Sequence, residues 1–294
     1  MRRSRETIKL NGDFPLGEFK SWQSYRDFER RIKSECRFIR SDEDQQFLRT
    51  VLETSKDRVR LLPADRNLWR AQLGCDWEPQ FEEGVHVGDL ERPFPQARMK
   101  PIPNEVRENR ANPRGIPCLY LSTRKETAMS EVRPWIGSLI SCGLFKTARE
   151  LRIVDFSVHH DKTSNFYFEE PDATEREQSV WTNIDQAFSN PVTREDVSTD
   201  YIPTQVIAEF FKCEGYDGIA YKSTFGKDGY NVALFNLNDA ALTYCELHEV
   251  KAAEFTFDKT ANPYWVKDDR TTITTEITDI RPVSSDDHQS KTSG

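Results

Sequence analysis

Five side chains have the types and settings that chemistry needs: Glu131 on a short helical segment, Arg70 in LWRAQ, Tyr120 in an apolar run, and Ser223 and Asn231 on either side of a turn carrying two glycines. A carboxylate bordering a buried helix face is partly desolvated, which is where a working acid group sits. A guanidinium can hold phosphate oxygens through two parallel hydrogen bonds. Each residue also has a plain structural use: Glu131 as a surface acid, Arg70 as a strand-end charge or ion-pair partner, Tyr120 in core packing, Ser223 in a turn, and Asn231 in pinning a hairpin. Ser223 is not read as a nucleophile, because no G-x-S-x-G surrounds it and no His/Asp pair is placed to activate it. Gly226-Lys227 lacks the Ser or Thr and the glycine spacing of a phosphate loop. His159 and His160 point different ways along a strand and no Cys or His pair has ligand spacing, so no metal is expected.

The element that must position Glu131 is the stretch from Asn109 to Pro134. Pro113, Gly115 and Pro117 permit little but loop before residue 118, and Leu119, Tyr120 and Leu121 form a brief strand after it. Thr123 followed by Glu126 has capping-box spacing, which predicts a helix starting there. Pro134 ends that helix after about ten residues, with Ala128, Met129 and Val132 on its apolar side. Glu131 lies three residues after Ala128 and borders that side.

Residues 20 to 58 read as helical, with Trp22, Tyr25, Phe28, Ile32 and Phe38 near helical spacing and no glycine or proline among them. Six of the fifteen prolines lie between Pro93 and Pro117, a density that predicts a long covering loop. Leu139 to Phe145 and Leu151 to Val158 have strand character. Glu169 to Ser189 is helical with an acidic, exposed start. Pro203 opens a further helix with Val206, Ile207, Phe210 and Phe211 on one stripe, closed by Gly215. Gly218 to Ser223 and Asn231 to Leu237 form a hairpin about a Phe225 to Tyr230 turn. The tail from Pro282 is polar and predicted to be disordered. This divides the chain into a helical extension (1–60), a domain of mixed strands and helices (61–267) and a tail (268–294), with the extension expected to be separable from the domain that carries Arg70 and Glu131.

With 294 residues the chain can bury a substantial core, and its net charge of -8 argues against a surface built to grip nucleic acid. The most apolar stretch, Trp135 to Phe145, is too short and broken to cross a bilayer, and the basic start MRRSRE has no apolar region behind it. The six cysteines are dispersed, which fits reduced thiols in a cytoplasm. Strands and helices alternate irregularly and no dinucleotide glycine fingerprint is present, so the pattern gives an α+β fold and disfavours a doubly wound one.

The segment around Glu131 resembles the RES domain, a family of bacterial NAD-consuming toxins named after an Arg, a Glu and a Ser. LWRAQ (Leu68 to Gln72), FSNPV (Phe188 to Val192), DYIPTQVIAEFF (Asp200 to Phe211), GYDGIAYKST (Gly215 to Thr224) and GYNVALFN (Gly229 to Asn236) resemble the family's other motifs, in the family's order across residues 61 to 240. Trp69 stands where Tyr is commoner, and Ser223-Thr224 where a Ser pair is commoner. The resemblance implies a mixed, ADP-ribosyltransferase-like fold with an NAD cleft between two small sheets. It also implies NAD as substrate, not cofactor, cleaved between nicotinamide and ribose with ADP-ribose passing to water or inorganic phosphate. Glu131 would accept the hydrogen bond of the ribose 2-hydroxyl as the sugar becomes cationic. Arg70 would hold the diphosphate, Tyr120 would stack on nicotinamide, Ser223 would hold Arg70 or Glu131 or donate to a phosphate, and Asn231 would pin the hairpin or reach the ligand. Arg133 would contact phosphate or sit in water. A helix-turn-helix antitoxin would block the cleft, and the helical front would serve as a regulatory cap, a homodimer surface or a sensor. Two rival readings are ADP-ribosylation of a protein acceptor and a non-catalytic sensor of an NAD-like ligand. The sensor would require the positions of Arg70, Glu131 and Ser223 to be lost, and all three are present.

Overall fold

The structure is a computed structural model that describes residues 17–102, 105–162, 166–190, 198–225 and 228–258. The chain divides into two units, Met1–Ala253 and Glu254–Gly294; of the second, residues 254–258 are described and carry no helix or strand. Gly226, Lys227 and the polar tail lie outside the described residues.

Among the described residues ten strands run β1 (Val59–Leu62), β2 (Asn67–Leu73), β3 (Asp76–Glu82), β4 (Val85–Arg92), β5 (Leu119–Ser122), β6 (Leu139–Thr147), β7 (Leu151–Asp155), β8 (Gly218–Lys222), β9 (Tyr230–Leu234) and β10 (Ala240–Glu249). Eight of them form one sheet in the order β1-β7-β8-β9-β5-β2-β6-β10, while β3 and β4 make a separate two-stranded hairpin. Within the sheet β7 and β8 are parallel and the other neighbours antiparallel. The sheet nearly divides at its middle, because β2 and β5 pair at Trp69 and Ser122 alone. That single pair joins a five-stranded part ending in β5 to a three-stranded part beginning with β2.

Alternation along the central strands sends side chains to two cores. Val154, Ile219, Tyr221 and Ala233 face a helical layer, and Ile153, Ala220, Val232 and Leu234 face Leu68, Met99, Leu119 and Phe145. The helical layer consists of α1 (Ser24–Ser34), α2 (Asp42–Thr54), α5 (Ala173–Ser189) and α6 (Ile202–Cys213). Two shorter helices, α3 (Gln96–Met99) and α4 (Lys125–Glu131), lie between β4 and β5 and between β5 and β6. Ser41 caps α2 by accepting from the Asp44 amide, and Asp172 caps α5 by accepting from that of Glu175. Gly215 follows α6 at φ +85°, a left-handed conformation that closes a helix at little cost only for glycine.

The described part of the front holds two α-helices, with a break over residues 35–41. Tyr25, Phe28 and Ile32 of α1 and Phe47, Leu48 and Val51 of α2 share one core with α5 and α6, and the Phe28 and Phe47 rings stack at 4.5 Å. Phe38, expected on the buried stripe, falls in the break and is exposed. The described residues of the Pro-rich stretch are loop apart from the single turn of α3, as its composition predicts.

The helix carrying Glu131 differs from expectation. It spans seven residues, and Arg124 at its N-cap makes no side-chain cap bond. Thr123 is not the cap: its amide donates to Tyr230 O at 2.9 Å and its hydroxyl accepts from the Tyr230 amide at 3.1 Å, so it extends the pairing of β5 with β9. A partner distant in sequence took the hydroxyl that a local capping box would have used.

Candidate functional site

Where the two parts of the sheet separate, a cleft of about 660 Å³ opens. Its walls are β2 from Trp69 to Leu73, β5 from Tyr120 to Ser122, the end of α4, Arg98 of α3, and Arg107 and Arg110 of the loop that follows. Arg70, Tyr120, Glu131 and Asn231 all line it, so four of the five candidate residues share one space. The fifth, Ser223, is buried behind them.

Glu131 is the last residue of α4, whose Ala128 packs with Ala71, Ile140 and Cys142. Its Oε1 accepts from Ser223 Oγ at 2.6 Å and from Asn231 Nδ2 at 2.5 Å. No described residue donates to Oε2. One carboxylate oxygen is thus fixed by the β8–β9 hairpin, and the other remains available for a ligand hydroxyl. Ser223 is held in turn, with its Oγ accepting from the Phe225 amide at 3.0 Å. Ser223 is hydrogen-bonded to Glu131; it makes no described hydrogen bond to Arg70 and does not line the cleft.

Asn231 both pins the strands and faces the cleft. Its Oδ1 accepts from Ser122 Oγ at 2.7 Å, which sets the amide so that Nδ2 points to Glu131. Ser122, buried at the only β2–β5 pair, is a site residue that sequence reading missed, since nothing marks the last residue of a short strand as special. The turn between β8 and β9 also presses on α4. A Cβ added to Gly229 would lie 2.0 Å from Thr127 Oγ1, so glycine is required there for close approach.

Arg70 reaches across the gap, donating from one terminal nitrogen to the Tyr120 carbonyl at 3.1 Å. Its buried Nε has no partner among the described residues. Burial brings the guanidinium down to about 10, with Arg98 adding to the shift, so it stays charged at neutral pH in a setting that penalises the charge. An anion in the cleft would relieve that penalty.

Tyr120 is anchored as well as exposed to the cleft. Its hydroxyl donates to Asn112 Oδ1 at 2.7 Å and accepts from the Ala111 amide at 2.9 Å, while burial pushes the phenol well above its ordinary range. The ring therefore offers a fixed face. The Pro-rich loop is fastened at several points: Gln72 donates to Arg98 O, Lys100 to Leu237 O, Gln205 to Asn109 O, and Arg110 to Ala187 O and Asn190 O at the end of α5. The arginines this loop brings to the cleft were also overlooked in the sequence, although residues 93–117 hold five Lys or Arg against two Glu in a chain that is acidic overall. Arg133 is exposed and does not line the cleft.

His160 pairs with Asp185 at 2.6 Å on the helical side, away from these residues. Among the described residues no group of three or more His, Cys, Asp or Glu could hold a metal ion, and no helix is long and apolar enough to cross a membrane.

The sequence matches the RES domain over residues 67–258. No curated protein matches it. Among solved structures, a chain from the crystal structure of the M. tuberculosis MbcT-MbcA toxin-antitoxin complex is 12% identical, with 68% of this chain and 92% of that chain covered and a TM-score of 0.37, a likeness too loose to argue from.

Proposed function

The chain belongs to the RES domain family, and on that premise we propose that it is a toxin-like enzyme that destroys NAD by breaking the bond between nicotinamide and ribose. The observation that carries this reading is the Glu131 carboxylate, with one oxygen fixed by Ser223 and Asn231 and the other without a partner among the described residues, in a cleft that also holds Arg70. A dinucleotide needs both groups. Nicotinamide departs with the electron pair of its bond to the sugar, leaving a ribosyl cation. Glu131 Oε2 accepts the hydrogen bond of the ribose 2-hydroxyl and counters the positive charge as it develops, an interaction stronger in the transition state than in bound substrate. Arg70 holds the diphosphate, and the fixed face of Tyr120 stacks on nicotinamide. Water or inorganic phosphate then bonds to the sugar carbon opposite the departed ring and releases a proton, giving ADP-ribose or ADP-ribose 1-phosphate.

The separation of the two sheet parts around this cleft supports the ADP-ribosyltransferase-like description of the fold. The family resemblance further suggests an antitoxin protein that covers the cleft. Purified protein incubated with NAD, with and without inorganic phosphate, tests the reading: nicotinamide should appear in step with NAD loss, and the partner product identifies the acceptor. Intact NAD after prolonged incubation with folded protein would refute it.

A further inference from the structure

Beyond Arg70 and Tyr120 the cleft continues into a side compartment of about 260 Å³ that Glu131 does not line. Arg70, Gln72, Arg98, Arg107, Asn109 and Tyr120 belong to both spaces and form the boundary between them. Ile102 and Val106 give the compartment apolar walls, and Arg98 and Arg107 bring guanidinium groups to it. Arg98 lies 5.2 Å from the Phe94 ring centre, and neither arginine has a carboxylate partner among the described residues. Glu105 and Glu108 also line the space but form no ion pair with either arginine.

Under the proposed function, nicotinamide ribose lies at Glu131 and the diphosphate at Arg70, so the adenosine half must lie beyond that boundary. A diphosphate is served by Arg70. Arg98 and Arg107 are then cations in excess, placed on the boundary between the two spaces, which the adenosine ribose abuts. We propose that this compartment takes an adenosine half bearing its own phosphate, so that NADP is a substrate of the same cleft. The base lies against Ile102 and Val106, and the 2′-phosphate accepts hydrogen bonds from Arg98 and Arg107, which hold phosphate through paired donors. The inference rests on the NAD-cleaving reading and adds a substrate class to it.

The test compares initial rates of nicotinamide release from NAD and NADP by the full chain, and the binding of adenosine 2′,5′-bisphosphate and 5′-AMP by calorimetry. NADP should be cleaved with kcat/KM within about tenfold of NAD, and the bisphosphate should bind at least about tenfold more tightly than 5′-AMP. Arg107→Ala and Arg98→Ala, each verified as folded by its melting curve, should lower the NADP to NAD ratio of kcat/KM by about 10- to 100-fold. Cleavage of NAD with NADP untouched would overturn the inference and leave the parent reading standing. Cleavage of neither dinucleotide would remove the reading on which it rests. Displacement of the bisphosphate by inorganic phosphate at equal concentration would overturn the inference by assigning the compartment to free phosphate.

Discussion

Deleting residues 1–56 should abolish folding of the remaining chain, although the sequence suggests a separable helical front. The cut removes Phe19, Tyr25, Phe28, Ile32, Phe47, Leu48 and Val51, all buried in the core that α5 and α6 also supply. Burying each such side chain contributes roughly 1.5–3 kcal/mol, so seven together contribute on the order of 10–20 kcal/mol. Even halved for a compact unfolded state, that is comparable to the whole stability of a typical domain, about 5–15 kcal/mol. The truncation also uncovers the parts of α5 and α6 that α1 and α2 pack against, an apolar face prone to aggregate. A gentler probe of the same contact is Phe28→Ala, which removes a fully buried ring stacked on Phe47. The expected cost is about 3–5 kcal/mol, a fall in Tm of roughly 6–20 °C for a chain of this size. Differential scanning fluorimetry reads the shift, and NAD turnover measured well below Tm should persist in the point variant. A soluble truncation that melts cooperatively within a few degrees of the parent would refute the reasoning and make the front a detachable attachment.

Arg70→Lys should lower kcat/KM for NAD by about 10- to 100-fold with unchanged circular dichroism, because a point charge loses the two-pronged grip on phosphate; parent-like kinetics would demote Arg70 to a structural charge. Gly229→Ala should cost about 1–3 kcal/mol and lower activity, since the new methyl pushes Thr127, and with it the helix ending at Glu131, away from the hairpin; an unshifted Tm with full activity would show the contact to be slack. Glu246 is held down to about 2, foremost by the Lys125 ammonium at 2.8 Å, which ties the start of α4 to β10. Because the folded value lies below the ordinary 4.5, the pair's stabilisation is fully present above pH 4.5 and is lost as pH falls toward 2. Lys125→Met should therefore be less stable than the parent at pH 7, with the gap narrowing below pH 4.5 in urea titrations; a gap independent of pH would assign the loss to packing alone.

The sequence was most legible where local pattern and tertiary role agree. The apolar run at Leu119 to Leu121, the helix opened by Pro203 and the hairpin around Gly229 each carry breakers at their ends and the right period between them, and each stands in the structure. The β3–β4 hairpin was not anticipated. Trp77, Phe81 and Val85 are exposed there, so no buried face imposes an alternation that could be read. Thr123 misled because its spacing to Glu126 satisfies a local rule while its hydroxyl is taken by Tyr230, more than a hundred residues away. The same limit applies to the site. Glu131 could be placed on a helix bordering apolar residues, but the pairing of Ser122 with Asn231, and of Asn231 with Glu131, depends on strand order, which periodicity does not contain. Arg70 likewise becomes a cleft residue only because β2 and β5 touch at one residue pair and then separate.

The most direct test of the account is the NAD consumption rate of Glu131→Gln beside the parent, with melting curves of both. Gln retains an acceptor oxygen for Ser223 and Asn231, so the hairpin contacts and Tm should be kept while the negative charge facing the cleft is lost. The account predicts a rate at least about 100- to 1000-fold lower, the loss typical of removing one preorganised electrostatic partner. A Gln variant that consumed NAD at the parent rate would contradict it, and Glu131 would then not be the group that stabilises the ribosyl cation.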